Sequence, residues 1–362
     1  MTDITYLRPV TNKVIFSFDN VDTKKETKKF IHDYIDKAHD ILYNAENIEG
    51  ESALNDIMNF LFLRLIEDKL SDKEEEGKID LLNKEIYSKV ADKKTLEKLK
   101  YFKLSNIIGA ELKSIRSKEK TGNDLIKQLG EFLLVHPLTK QMYNSPNFIN
   151  AETPSTIIKL LKEVILTSDI KTLHKIPDLV GEIYEYFIQG YHKSGSKLGQ
   201  YFTPRSMMRL SLEFIKNDIT DFIKDKKNIL VSDWCMGTAG WLVIFYNIFK
   251  TDFGKNIILS GGEVKPNTFQ FALMNIINTT NKLPKTAIRE NSLTHFEDTK
   301  KYHIILTNPP FKTSFSFKQI KENFENDEIN KKNNIKLDDV YKLKNNSPPV
   351  QFLEMCKYKL AK

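Results

Sequence analysis

The segment Leu306-Thr307-Asn308-Pro309-Pro310-Phe311 constrains this chain more than any other. It follows the apolar run Tyr302-His303-Ile304-Ile305, so it reads as a buried strand running straight into a rigid turn. In a parallel sheet, ligands bind at the carboxyl ends of the strands. The two prolines fix two φ angles and remove two donors, which leaves the Asn308 side chain and the Pro309 carbonyl as acceptors in a nearly fixed geometry. Such a pair suits a primary amine. An exocyclic amine on an aromatic ring is a poor nucleophile because its lone pair is delocalised; acceptors that take its hydrogens draw the nitrogen toward a tetrahedral shape. Phe311 offers a flat face on which such a ring can stack. Asn-Pro-Pro also makes an ordinary turn, so the reading depends on what accompanies it.

The 362 residues suffice for two domains, and 40% hydrophobic with 28% charged residues is the composition of a globular protein. A net charge of +7 favours an anionic partner without requiring one, because the lysines are spread along the chain. Cys235 and Cys356 are too few for a disulfide framework. With no signal-like start and no apolar run long enough for a bilayer, a cytoplasmic protein without membrane contact is expected. His32 and His39 share a helix face but are joined by no cysteine or carboxylate cluster, so no metal site is expected.

Residues 1–24 read as a lead-in and 25–175 as an α-helical domain. Helical spacing runs through 24–44 and 52–70, the second apolar nearly all round and so expected at the domain's centre. The charged stretch 68–120 reads as solvated helices and loops, with further helices at 124–135 and 154–168. Residues 176–362 read as an α/β domain. An amphipathic helix at 179–188 leads to Thr203-Pro204, where Thr203 is placed to cap a helix starting at Pro204; such a start is an ordinary cap and also suits a carboxylate ligand.

A short strand at 228–232 then ends in Asp233 and the loop Trp234-Cys235-Met236-Gly237-Thr238-Ala239-Gly240. The loop is neither a GxGxxG fingerprint nor a P-loop. An acid at the strand tip without a phosphate cradle favours a ligand bearing an amine over a pyrophosphate. The next strand, 256–260, leads to Glu263, a two-oxygen acceptor placed for a ribose hydroxyl pair. A third, 286–289, leads to Asn291, and the fourth feeds Asn308. Four strands alternating with helices give an α/β fold with a parallel sheet.

The ordered set GQYFTPR, DWCMGTAGWL, GGEVKP and LTNPPF resembles the DNA adenine-N6 methyltransferases, specifically the methylation subunit of type I restriction-modification systems, over roughly residues 25–362. The resemblance implies a Rossmann-like S-adenosylmethionine-dependent methyltransferase domain behind the helical one. It implies methyl transfer from that cofactor to the N6 amine of a flipped-out adenine in DNA, with a specificity subunit as partner and no metal. It assigns Phe202, Thr203 and Pro204 to the methionine end of the cofactor and Asp233 to its amino group. Gly237 and Gly240, flanking Thr238, are assigned to close backbone approach, Glu263 to the ribose and Asn291 to the cofactor's adenine. Asn308, Pro309, Pro310 and Phe311 are assigned to the target base. The alternative is a catalytically silent DNA-binding or assembly subunit that keeps the fold.

Three departures carry expectations of their own. Trp234, Cys235 and Met236 stand where the family commonly continues with proline, and their bulk predicts a narrower methionine pocket. The polar tract 312–346 reads as a loop, with a DNA-facing insertion as the alternative. The sheet is expected to stop after its fourth strand and leave an uncovered edge, as in one piece of a divided gene, a decayed remnant, or half of an enzyme that a second polypeptide completes.

Overall fold

The computed structural model describes residues 21–71, 148–167, 178–191, 203–282, 284–296, 301–310 and 316–361, with positions 130, 134, 142, 143, 173 and 176. The lead-in as far as residue 20, most of the charged stretch and nearly all of the helix expected at 124–135 lie outside them.

The sheet comprises β1 (Ile229–Asp233), β2 (Ile257–Gly262), β3 (Thr286–Ile288) and β4 (Ile304–Ile305) in the order β3-β2-β1-β4, with every pairing parallel. The chain builds outward in one direction from β1 and then returns to place β4 on β1's other side. This reversal opens a crevice at the carboxyl ends of β1 and β4, where ligands of such sheets bind. In the β1–β2 register, Asp233 lies opposite Gly261, and Leu306 N donates to Ser232 O at 2.8 Å, so the Asp233 and Asn308 segments leave the sheet side by side. His303 extends this short pairing: its N–H donates to Leu230 O at 2.9 Å while its Nδ1 accepts from Leu230 N at 3.0 Å. Without the ring, that buried-strand N–H would lose its partner.

The helices before the sheet are α1 (Val21–Glu46), α2 (Gly50–Ser71), α3 (Pro154–Leu160, followed by a π turn at Leu161–Ile165), α4 (Leu179–Tyr191), α5 (Arg205–Phe214) and α6 (Lys216–Ile223). As expected from its sequence, α2 is central: Leu54, Ile57, Phe60, Leu61, Phe62 and Leu65 are all buried. The two sequence-defined regions do not keep separate cores. One apolar cluster runs from Ile31 through α2 and α4 to β1, β2, α7 (Gly240–Phe253) and α8 (Pro266–Thr280). Polar bonds cross inside it, with Gln270 Nε2 of α8 donating to Asn59 Oδ1 of α2 at 3.0 Å. A buried amide pair of this kind helps fix the relative register of α2 and α8, because the buried Gln270 amide would otherwise lose this partner.

The tract expected as a loop is helical. Residues 317–340 form α9 (Phe317–Asn326), α10 (Glu328–Lys332) and α11 (Leu337–Val340), followed by α12 (Pro348–Lys359). A capping box closes the start of α9, with Ser316 and Gln319 each accepting from the other's backbone N–H. Ile320, Phe324, Val340 and Tyr341 are buried with Trp234, Phe296, Tyr302 and Met355 in a second core under β3 and β4. Asn330 accepts from Phe296 N at 2.9 Å and donates to Thr294 O at 2.7 Å, and Tyr341 Oη donates to Leu293 O at 2.6 Å.

The sheet stops after β4, as expected, with β4 as an outer strand, and the stretch just ahead of it carries an isolated bridge. Leu360 pairs in parallel with Tyr302, through Tyr302 N to Lys359 O and Ala361 N to Tyr302 O, each 2.8 Å. The second core covers the adjoining apolar flank. Among the described residues, no helix is long and apolar enough to cross a membrane.

Candidate active site

Every strand tip of the sheet carries one of the residues singled out from sequence. Asp233 ends β1, Glu263 follows β2, Asn291 follows β3 and Asn308 follows β4. The sheet topology gathers them along one rim, with Asp233 and Asn308 at the switch point.

Asp233 is 1% exposed. Its Oδ1 accepts from Cys235 N at 3.0 Å, while Oδ2 is buried without a hydrogen-bond partner. Burial pushes its carboxyl up to about 7; the Cys235 N–H and the neighbouring Thr307 hydroxyl oppose that shift and the Glu263 charge adds to it. The Thr307 hydroxyl stands by the carboxyl without closing a bond of ordinary geometry, and Thr307 Oγ1 and Ser232 Oγ are likewise buried and unpartnered. Three polar groups without a closed hydrogen bond thus lie together on adjacent strand ends, open to a polar ligand.

Glu263 shapes the loop. Its Oε2 accepts from Gly237 N at 3.1 Å and its Oε1 from Lys265 N at 2.9 Å, and burial raises its carboxyl against those two N–H groups. Each oxygen keeps a free lone pair for a further donor. Gly237 has φ +54° and open space where a Cβ would stand, so the backbone is bare at this point of the rim. Asn291 Oδ1 accepts from Leu293 N at 3.0 Å in a local turn.

Thr238 and Gly240 turn away from the rim. Thr238 Oγ1 accepts from Arg205 Nη2 at 3.2 Å, and a Cβ on Gly240 would press on Met208 of α5 at 3.2 Å. Nor does Trp234 narrow the pocket as its bulk suggests. It points into the second core, edge-on to Tyr302 with a ring separation of 5.4 Å and with Lys359 Nζ 3.9 Å from its ring centre. Gly261 makes room for Met236, since a Cβ there would collide with Met236 Sδ, and a Cβ on Gly262 would collide with Ser292 Oγ.

Thr203 does not cap α5, whose N-cap is Pro204 with no side-chain bond. Its hydroxyl is taken instead by the rim: Asn308 Nδ2 donates to Thr203 Oγ1 at 2.7 Å. Asn308, Pro309 and Pro310 are half-buried beside it. Phe202 and Phe311 lie outside the described residues.

Sequence reasoning missed the ion cluster beneath this rim. Arg205, in the same GQYFTPR segment, donates from Nε to Asp178 Oδ2 and from Nη1 to Glu185 Oε2, each at 2.7 Å. Asn275 Nδ2 of α8 bonds Asp178 Oδ1 and donates to Thr238 O at 2.8 Å. Arg205 and Asp178 therefore clasp α4, α5, α8 and the β1 loop together. Gly181 faces this cluster, and a Cβ there would run into Arg205 and Asp178. Gly181→Ala is expected to cost about 1–3 kcal/mol, the scale of overpacking a filled interior, measured as a lower denaturant midpoint with unchanged slope. A separate cleft of about 350 Å³ between α2, α4 and α8 is lined by Glu51, Tyr184, Lys265 and Thr268; neither Asp233 nor Asn308 reaches it.

Residues 175–349 match the family described as N-6 DNA methylase. The matched segment makes up just under half of the chain. It holds all four strands, the clasp and the rim from Thr203 to Asn308. Among individual proteins, the methylase subunit of the type I restriction enzyme HindI of Haemophilus influenzae is 30% identical over 102 residues, 27% of this chain and 21% of that one. The EcoKI methylase subunit of Escherichia coli is 31% identical over 156 residues, 38% of this chain and 28% of that one. The matched segments thus span well under a third of those relatives' own lengths.

In fold, a type I restriction-modification methyltransferase subunit from Streptococcus thermophilus aligns over 92% of this chain and 72% of its own with a TM-score of 0.56 at 16% identity. A modification subunit attributed to a type I restriction enzyme of Vibrio vulnificus aligns over 92% and 67%, with a TM-score of 0.57 at 15% identity. At such identities the likeness is one of architecture, and it takes in the helices before the sheet as well as the sheet.

Proposed function

We propose that this chain transfers a methyl group from S-adenosylmethionine to the N6 amine of an adenine flipped out of duplex DNA, as the methylation subunit of a type I restriction-modification system acting beside a specificity subunit. The observation that carries the reading is the set of unpartnered buried groups at the switch point, Ser232 Oγ, Asp233 Oδ2 and Thr307 Oγ1, next to the Asn308 turn. They fit a ligand with an ammonium group on the one N-6 DNA methylase rim where a cofactor would meet the target base.

Asp233 Oδ2 would hold that ammonium, and the bare backbone at Gly237 allows close approach. The spare lone pairs of Glu263 suit a pair of hydroxyls. When bound, S-adenosylmethionine supplies an electrophilic methyl group. The protein's part is alignment and acceptor placement. Asn308 Oδ1 and the Pro309 carbonyl would accept the two hydrogens of the base's amine, localising its lone pair on nitrogen. Neither group is ionisable, so they tune the nucleophile without removing its proton.

Asn308→Ala is expected to lower methyl transfer to duplex DNA at least about a hundredfold, as when one preorganised polar group is lost from a transition-state site. Cofactor affinity should stay within about threefold, under 1 kcal/mol. The measurement is label transfer from methyl-tritiated cofactor in the presence of a specificity subunit, with the DNA digested to nucleosides and N6-methyladenine expected as the product. Label appearing on another base, or cofactor affinity falling in step with rate, would overturn the assignment. Cofactor binding without any transfer would support the silent-subunit alternative.

A further inference from the structure

An amide side chain has two ends of opposite sense: Oδ1 accepts and Nδ2 donates. If Asn308 is to grip an amine, Oδ1 must face it, since a half-turn of the amide would set donor against donor. Local backbone does not settle this choice, because Pro309 and Pro310 fix the chain and leave χ2 of Asn308 free to take either orientation.

In the structure the amide lies with Nδ2 toward a residue 105 positions earlier, donating to Thr203 Oγ1 at 2.7 Å. Thr203 is well held for the task. Met207 N and Met208 N both donate to Pro204 O, anchoring the first turn of α5 behind it. Arg205, two residues on, is locked by Asp178, Glu185 and Thr238. The Thr203 hydroxyl is not spent on capping that helix. Its lone pairs therefore remain for Asn308.

We propose that Thr203 is a positioning residue that sets the amide of Asn308 with Nδ2 inward and Oδ1 toward the target amine. This rests on the adenine-N6 reading of the site, and it gives Thr203 a role other than the cofactor contact implied by family resemblance. Through the clasp, the orientation of the base-gripping amide is tied to the helix bearing Arg205.

The test uses the whole chain labelled with ¹⁵N-asparagine, the Asn308 side-chain signal being assigned by its loss in Asn308→Ala. Its NH₂ protons should exchange slowly with solvent in the wild type and in Thr203→Ser, and fast in Thr203→Val. Equal exchange in the wild type and Thr203→Val overturns the proposal. In single-turnover methyl transfer with the specificity subunit, Thr203→Val should slow the step about tenfold, the worth of one hydrogen bond, while Thr203→Ser stays within about threefold. Cofactor affinity should be unchanged in both; a loss matching the rate would return Thr203 to the cofactor and overturn the proposal. A wild type that methylates no DNA adenine counts against the reading of the site, and the exchange comparison still decides the hydrogen bond.

Discussion

Asp233→Asn is expected to stabilise the folded protein at pH 8 by up to roughly 4 kcal/mol while removing the S-adenosylmethionine binding proposed for it. The carboxyl sits at about 7 in the folded chain against 3.8 when solvated, mainly through burial. That gap is about three pH units, each worth 1.36 kcal/mol. Between those two values the folded state binds the proton more tightly than the unfolded one. Wild-type stability therefore falls as pH rises from about 4 to 7, and above 7 the full cost of the buried charge is present. Asparagine carries no charge to bury, its Oδ1 can still accept from Cys235 N, and its Nδ2 can donate to the unpartnered Thr307 hydroxyl.

Urea unfolding at pH 5 and pH 8 checks this: the advantage of the variant should be small at the lower pH and grow toward the higher. An equal difference at both values would show that Asp233 is not buried as a charge. The same titration governs the ligand. To meet an ammonium the carboxyl must first lose its proton, so cofactor affinity in the wild type should fall as pH drops below about 7, by up to tenfold per unit. A buried carboxyl that weakens the fold at the end of β1 is expected to answer to function.

The chemistry of the rim was legible where it depends on neighbours in sequence. The run from Ile304 to Pro310 announces a strand followed by a fixed turn, and Asp233 and Glu263 stand at ends of apolar runs, so their places on the strand tips follow from periodicity alone. What brings them together does not. The order β3-β2-β1-β4 is a statement about which strands pair, and no local pattern encodes it. Thr203 shows how a local rule misleads: Thr before Pro reads as a helix cap, but its partner is Asn308, far along the chain. The bulk of Trp234 suggests a narrowed pocket, and its ring lies instead in a core built with Phe296, Tyr302 and Met355, all distant in sequence. In the tract 312–346, lysine and asparagine dominate the composition, while a few apolar residues such as Ile320, Phe324 and Tyr341 carry the fold by being fully buried.

The clasp was invisible for the same reason, and its removal is the second large effect. Arg205→Met is expected to cost about 3–5 kcal/mol, the usual consequence of leaving a buried charge without its partner. The Arg205 side chain is 12% exposed and that of Asp178 4%, so water cannot replace the lost guanidinium. Methionine keeps the length of the aliphatic stem, which confines the loss to the charge and its three hydrogen bonds. Adding Asp178→Asn to Arg205→Met should then recover at least about half of the loss, because the anion that made the single variant costly is gone. Denaturant midpoints of the two variants and the wild type test the argument. If the double variant is no more stable than Arg205→Met, charge balance is not what the clasp provides. In both variants Thr238 loses its bond from Arg205, so the β1 loop is released from α5 even where stability returns. Cofactor affinity should accordingly stay low in the double variant although its fold has recovered, which separates the clasp's hold on the loop from its contribution to the core.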